Sequence, residues 1–198
     1  MGKRSVLSIL KSANRAGEVI NCIKCTSQWK DLTLMYLGLK APQFPFTFKT
    51  RQGQQIEINT FHDLVTVWVI FCRHEYKIPS GSSVVIDAGA NIGSFSIYAS
   101  ANNVSEIYAI EPFPETFSLL KKNIEANNLS SRVKLHSLAL ANTTGTRSMD
   151  LSEGPSQSRG LLEDGSDQGL NVETATLQDF LNKIDRQKID MLKIDIEV

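Results

Sequence analysis

The chain has 198 residues, 41% of them hydrophobic, and its 21 Lys plus Arg are balanced by 21 Asp plus Glu. That length can bury a core of ordinary domain size. The zero net charge removes the electrostatic case for a nucleic-acid or acidic-membrane partner, and no apolar run is long enough to span a bilayer.

Residues 3 to about 38 carry apolar residues at three- and four-residue steps (Val6, Ile9, Leu10, Ala13, Ala16, Val19, Ile20, Ile23), which predicts helix. A second helical piece, Trp29 to Leu39, is stopped by Gly38 and Pro42. The basic start, Met1 to Ser5, is followed by a run broken by Lys11, Asn14, Arg15 and Glu18, so it lacks the apolar stretch of a signal peptide. Cys22 and Cys25 form a C-x-x-C, but no second pair follows and the three histidines are scattered. Together with Cys72 they read as free thiols of a reducing, cytoplasmic compartment rather than a metal or redox centre, and no metal is expected. Phe44 to Ile58 alternates around Arg51-Gln52-Gly53-Gln54 and predicts a hairpin; Thr60 to Tyr76 predicts a helix with Leu64, Val67, Trp68 and Phe71 on one face. Residues 1–58 are therefore expected to form a helical and hairpin extension, and residues 59–198 a cofactor-binding domain.

The chain is organised around Val84-Val85-Ile86-Asp87-Ala88-Gly89-Ala90-Asn91-Ile92-Gly93. A short β-branched run, an acid and two glycines precede helically spaced Ile92, Phe95, Tyr98 and Ala99, so the stretch reads as buried strand, tight turn and helix. Gly89 and Gly93 can turn the backbone sharply and admit a ligand closely, having no Cβ. The following helix offers free N–H groups. The spacing D-x-G-x-N-x-G puts Asn91 where a dinucleotide fingerprint needs glycine. Such a turn suits a cofactor with no pyrophosphate to cradle.

A second strand, Glu106 to Ile110, ends at Glu111, an acid about 20 residues past the Gly turn and so placed for ribose hydroxyls. Pro114 opens a helix with Phe117, Leu120 and Ile124 inward. Arg132 to Leu140 predicts a third strand, and Thr146 to Leu151 a fourth of antiparallel type. Ser152 to Gly169, rich in Ser, Gly and acids, reads as a long loop that could act as a lid. Val172 to Ala175 predicts a strand, Thr176 begins a helix, and Asp190 to Val198 is the last strand. This alternation predicts an α/β fold with a parallel, doubly wound sheet.

Three blocks, VVIDAGANIGSFSIYA, AIEPFPETFSLLKKNIEANNL and VETATLQDFL followed by IDMLKIDIE, closely resemble the FkbM family of S-adenosylmethionine-dependent methyltransferases. The resemblance covers roughly residues 60 to 197. It implies a Rossmann-like class I methyltransferase sheet and methyl transfer, usually to an oxygen of a small molecule or sugar. It also implies that Asp87, Gly89, Asn91 and Gly93 lie on the methionine side of S-adenosylmethionine, that Glu111 takes the ribose, and that Asp195 and Glu197 face the transferring methyl. A carboxylate at a strand end can remove a hydroxyl proton while the acceptor is held in line.

Within the last block, residues 193, 195 and 197 share one strand face. Lys193 in a central strand needs an acidic partner, Asp87 or Glu197, because an unpaired buried ammonium is costly. The family block runs on with Gly and Glu where this chain has Val198 and stops, so a truncated chain is expected. Its sheet would hold strands in the order 3-2-1-4, with the last three missing and Leu192, Ile194 and Ile196 poorly covered. A stretch of that kind is expected to bind cofactor weakly and turn over poorly. Two other readings remain at this point: a truncated, non-catalytic binding module, and a nicotinamide-dependent Rossmann oxidoreductase.

Overall fold

The computed structural model describes residues 13–149, 169–186 and 188–196. They fall in two compact units, Met1–Lys77 and Ile78–Val198.

In the first unit the helical periodicity yields α1 (Ala13–Cys25) and α2 (Trp29–Tyr36), separated by a turn at Thr26 to Gln28. The turn is fixed by Thr26, whose hydroxyl donates to the Lys49 carbonyl at 2.6 Å and accepts from the Gln28 N–H. The hairpin is β1 (Phe46–Lys49) and β2 (Gln55–Ile58), antiparallel with Phe48 opposite Ile56. Its alternation buries Phe48, Ile56 and Ile58, as a one-sided sheet requires. Thr60 caps α3 (Phe61–Trp68) in a capping box with Asp63. The helix expected to run to Tyr76 instead widens into a π turn, Val69–Arg73, and ends at His74 with φ +56°. Trp68 explains much of the packing here. Its ring stacks on Tyr36 at 4.3 Å, and its indole N–H donates to Glu18 at 2.7 Å, which also holds Arg73.

The second unit is built on β3 (Val84–Ala88), β4 (Glu106–Ile110), β5 (Val133–His136) and a later strand, β9 (Met191–Ile194). All pair in parallel in the order β5-β4-β3-β9. In order along the chain this is 3-2-1-4, as expected for the first half of a class I methyltransferase sheet. Val85, Ile86, Ile107 and Ala109 are fully buried, which is why these strands read as continuous apolar runs. The helix α4 (Ser94–Ala101) is buried nearly all round, with Phe95, Ser96, Ile97 and Ala99 inside. The helix α5 (Pro114–Ala126) has Pro114 in its first turn and buries Leu120, Asn123 and Ile124 while exposing Lys121 and Lys122.

One expected strand is two. The run from Arg132 to Leu140 leaves the central sheet after His136, whose carbonyl accepts from the Glu111 N–H at 3.1 Å. Leu138 then turns into a core cluster with Ile86, Tyr108, Ile110 and Phe180. Beyond it β6 (Ala139–Leu140) joins a separate three-stranded sheet with β7 (Gly145–Met149) and β8 (Leu170–Ala175), ordered β6-β8-β7. The strand β7 is antiparallel to β8, matching its expected type. Thr176 caps α6 (Leu177–Lys183) through the Asp179 N–H. The proposed lid at Ser152 to Gly169 lies, apart from Gly169, outside the described residues.

At the other edge, β9 has β3 as its partner among the described residues. Ile194 and Ile196 are exposed, as foreseen, but Leu192 is half-buried against the Ile86 and Phe180 cluster. Cover on that face of the strand therefore reaches Leu192 and stops before Ile194. Among the described residues no helix is long and apolar enough to cross a membrane.

Candidate cofactor site

The Gly loop at the carboxyl end of β3 is fixed from three sides. The N–H groups of Gly89 and Ala90 both donate to the Ile110 carbonyl, at 3.0 and 2.9 Å, so the loop is clipped to the end of β4. Asn91 sits in the left-handed region at φ +49°, and its N–H donates to Glu111 Oε2 at 2.9 Å. The other Glu111 oxygen accepts from the Phe113 N–H at 3.1 Å. One carboxylate therefore joins the turn after β3 to the turn after β4. Asn123, buried in α5, donates to the Ile92 carbonyl at 2.9 Å and secures the loop from the helix side.

Gly89 and Gly93 have positive φ, +71° and +87°, conformations that favour glycine. The space beside them belongs to the protein. A Cβ at Gly89 would lie 2.0 Å from the Asp195 carbonyl oxygen, and one at Gly93 would lie 2.7 Å from Leu120 Cδ1. On the Cβ side the glycines leave room for the protein's own atoms. They admit the end of β9 and the flank of α5.

The close approach at Gly89 brings the last strand to the loop. The Asp195 N–H donates to the Ala88 carbonyl at 3.0 Å, one rung past β9. Lys193, only 5% exposed, points to the same place. Its ammonium lies 2.7 Å from the Gly89 carbonyl, 3.0 Å from Asp87 Oδ1 and 3.7 Å from Asp195 Oδ2. The acidic partner required by the sequence is therefore Asp87, with Asp195 beside it. Asp87 is wholly buried, and its second oxygen accepts from Ser96 at 2.7 Å. Glu197, the alternative partner, lies outside the described residues. Asp195 is open, its side chain 62% exposed.

Burial pushes the Glu111 carboxyl up to about 7, against the two backbone N–H groups and the Lys193 charge, which favour its ionised form. A carboxylate has about four lone-pair sites; two are used here, which leaves acceptor capacity for a vicinal diol. Asn91 Oδ1 is also buried, with no hydrogen-bond partner among the described residues. Three carboxylates and one ammonium surround the loop. That balance suits a cationic sulfonium and a ribose, and it opposes the pyrophosphate of a dinucleotide. The residues present fit S-adenosylmethionine.

The sequence model of the methyltransferase FkbM domain matches residues 87–197, over half of the chain. The chain belongs to the FkbM methyltransferase family. Membership brings S-adenosylmethionine as the cofactor. Methyltransferase 1 of Beauveria bassiana is 26% identical over 173 residues, covering 77% of this chain and 68% of that protein. Methyltransferase sdnD of Sordaria araneosa is 29% identical over 161 residues, covering 65% of this chain and 62% of that protein. The matches thus span about two thirds of those relatives. Among solved structures, the M. jannaschii tRNA m1G37 methyltransferase aligns with 53% of this chain and 36% of its own, at 20% identity and a TM-score of 0.32. The fold assignment rests on the strand order itself.

Two residues that hold the loop in this FkbM-family chain escaped the sequence reading. They are Ser96 and Asn123, neither of which the sequence pattern singles out as a site residue. Asn123 carried a usable signal, because it falls in the Leu120–Ile124 stripe of α5, where a polar residue needs a buried partner. Ser96 carried none.

Proposed function

We propose that this chain carries out S-adenosylmethionine-dependent methyl transfer to a hydroxyl oxygen of a small molecule or sugar, in the cytoplasm. Glu111 carries the reading. It is a nearly buried carboxylate at the end of β4, gripping the loop after β3 and retaining acceptor capacity for two ribose hydroxyls. Asp87, Gly89, Asn91 and Gly93 would shape the methionine side, with Asp87 acting through Lys193 and Ser96 rather than by direct contact. When bound, the cofactor supplies an electrophilic methyl on a sulfonium. Asp195, open beside the loop, and Glu197 would receive the acceptor hydroxyl's proton and orient its oxygen. The free thiols Cys22, Cys25 and Cys72 support a reducing compartment.

Calorimetry with S-adenosylhomocysteine and with NAD tests the cofactor. Binding of the first and not the second is expected, and the reverse would overturn the reading. Methyl transfer from labelled S-adenosylmethionine to pooled small hydroxylated acceptors, with a parallel arm on bulk tRNA, tests the acceptor class. Incorporation confined to the tRNA arm would replace the small-molecule proposal.

A further inference from the structure

We infer that Lys193 is a positioning residue that holds the first turn of the cofactor loop, rather than only the neutralising partner of a buried acid. The inference rests on the reading of this loop as the cofactor loop. An ammonium has three N–H donors in a compact head. Here the ammonium donates to the Gly89 carbonyl and ion-pairs with Asp87 Oδ1 and Asp195 Oδ2, three oxygens from three places in the chain. The shortest of the three contacts is to the backbone of the loop, not to either acid. Gly89, at φ +71°, is where the chain leaves the β3 ladder, so its carbonyl turns away from the strand direction. Lys193 captures it there.

Two ionisable groups then pin opposite ends of one short turn. Lys193 takes the carbonyl of Gly89, and Glu111 takes the N–H of Asn91. The Phe95 ring, 6.0 Å from the ammonium, closes the other side. The same lysine lies beside Asp195, the exposed carboxylate next to the loop. Loop shape and the aim of Asp195 are thereby set by one side chain that need not touch cofactor.

The test is Lys193→Met together with the double variant Asp87→Asn/Lys193→Met, which removes both charges and so avoids an orphaned buried acid. Hydrogen exchange is read at residues 88–93 and, as an internal reference, at β4. S-adenosylhomocysteine affinity is read by calorimetry. Expected are faster exchange in the loop with β4 unchanged, in both variants, and affinity weakened roughly ten- to a hundredfold, the worth of one charge-assisted hydrogen bond. Unchanged loop exchange in either folded variant would overturn the inference. So would loss of fold in the double variant, because Lys193 would then be required by the whole unit and not by the loop. If the wild-type chain binds no S-adenosylhomocysteine, the proposed function fails on its own, while the exchange result still decides the role of Lys193.

Discussion

Glu111→Gln separates the structural and ligand roles of the acid that joins the two turns. Burial raises its carboxyl from 4.5 to about 7 in the folded chain. A raised carboxyl contributes stability that is fully present below the unfolded value and is lost as pH rises through the folded value. Between about pH 4.5 and 7 the native state should therefore lose roughly 3 kcal/mol through this group. Glutamine carries no charge, so that slope should vanish. It also replaces one acceptor oxygen with an NH2 that must face either the Asn91 or the Phe113 N–H, at a cost of roughly 1–3 kcal/mol. Near pH 8 the two effects nearly cancel; near pH 5 the variant is the less stable chain. Cofactor binding moves the other way. Ribose hydroxyls donate to the ionised acid, so S-adenosylhomocysteine affinity should rise with pH through about 7 in the wild type and stay low and flat in the variant. Urea denaturation at both pH values reads the first effect, and calorimetry in two buffers of different ionisation heat reads the second. An unchanged wild-type slope in Glu111→Gln would refute the burial reasoning. Wild-type affinity in the variant would refute the ribose role.

Gly89→Ala places a methyl 2.0 Å from a backbone oxygen at φ +71°, and nothing flexible can yield; loss of several kcal/mol, or no folded protein, is expected on denaturant titration. Gly93→Ala meets Leu120 Cδ1 instead, a side-chain tip, so its destabilisation should be smaller and partly relieved in a Gly93→Ala/Leu120→Ala double-mutant cycle. Ser96→Ala removes the 2.7 Å hydrogen bond to Asp87 and should cost roughly 1–3 kcal/mol in the same assay; a neutral result would mean the buried acid is satisfied without it. Burial pushes the Cys25 thiol up to about 11, and Cys22 and Cys72 are wholly buried. All three should react slowly with a thiol reagent at neutral pH and become titratable in denaturant. Fast native labelling of Cys25 would contradict its environment.

What could be read from the sequence, and what could not, follows the range of the forces involved. The central strands were legible because β3 and β4 are buried on both faces and so leave continuous apolar runs, while α5 leaves a periodic stripe. The division of Arg132 to Leu140 between two sheets was not, because the apolar pattern continues through Leu138 while the hydrogen-bonded partner changes from β4 to β8. Lys193 was legible as a cost: a cation inside a strand demands an acid, and Asp87 lies opposite it in register. Its hold on the Gly89 carbonyl was not, since a backbone oxygen carries no signature in side-chain chemistry. The glycines show the same limit from the other side. Their spacing announced a turn with positive φ, and the turn is there, but spacing cannot say what fills the place of the missing Cβ. At Gly89 the filler is the Asp195 backbone. The pattern that reads as room for a ligand thus records how closely β9 must approach. That approach is what puts an open carboxylate and a buried ammonium beside the loop in the first place.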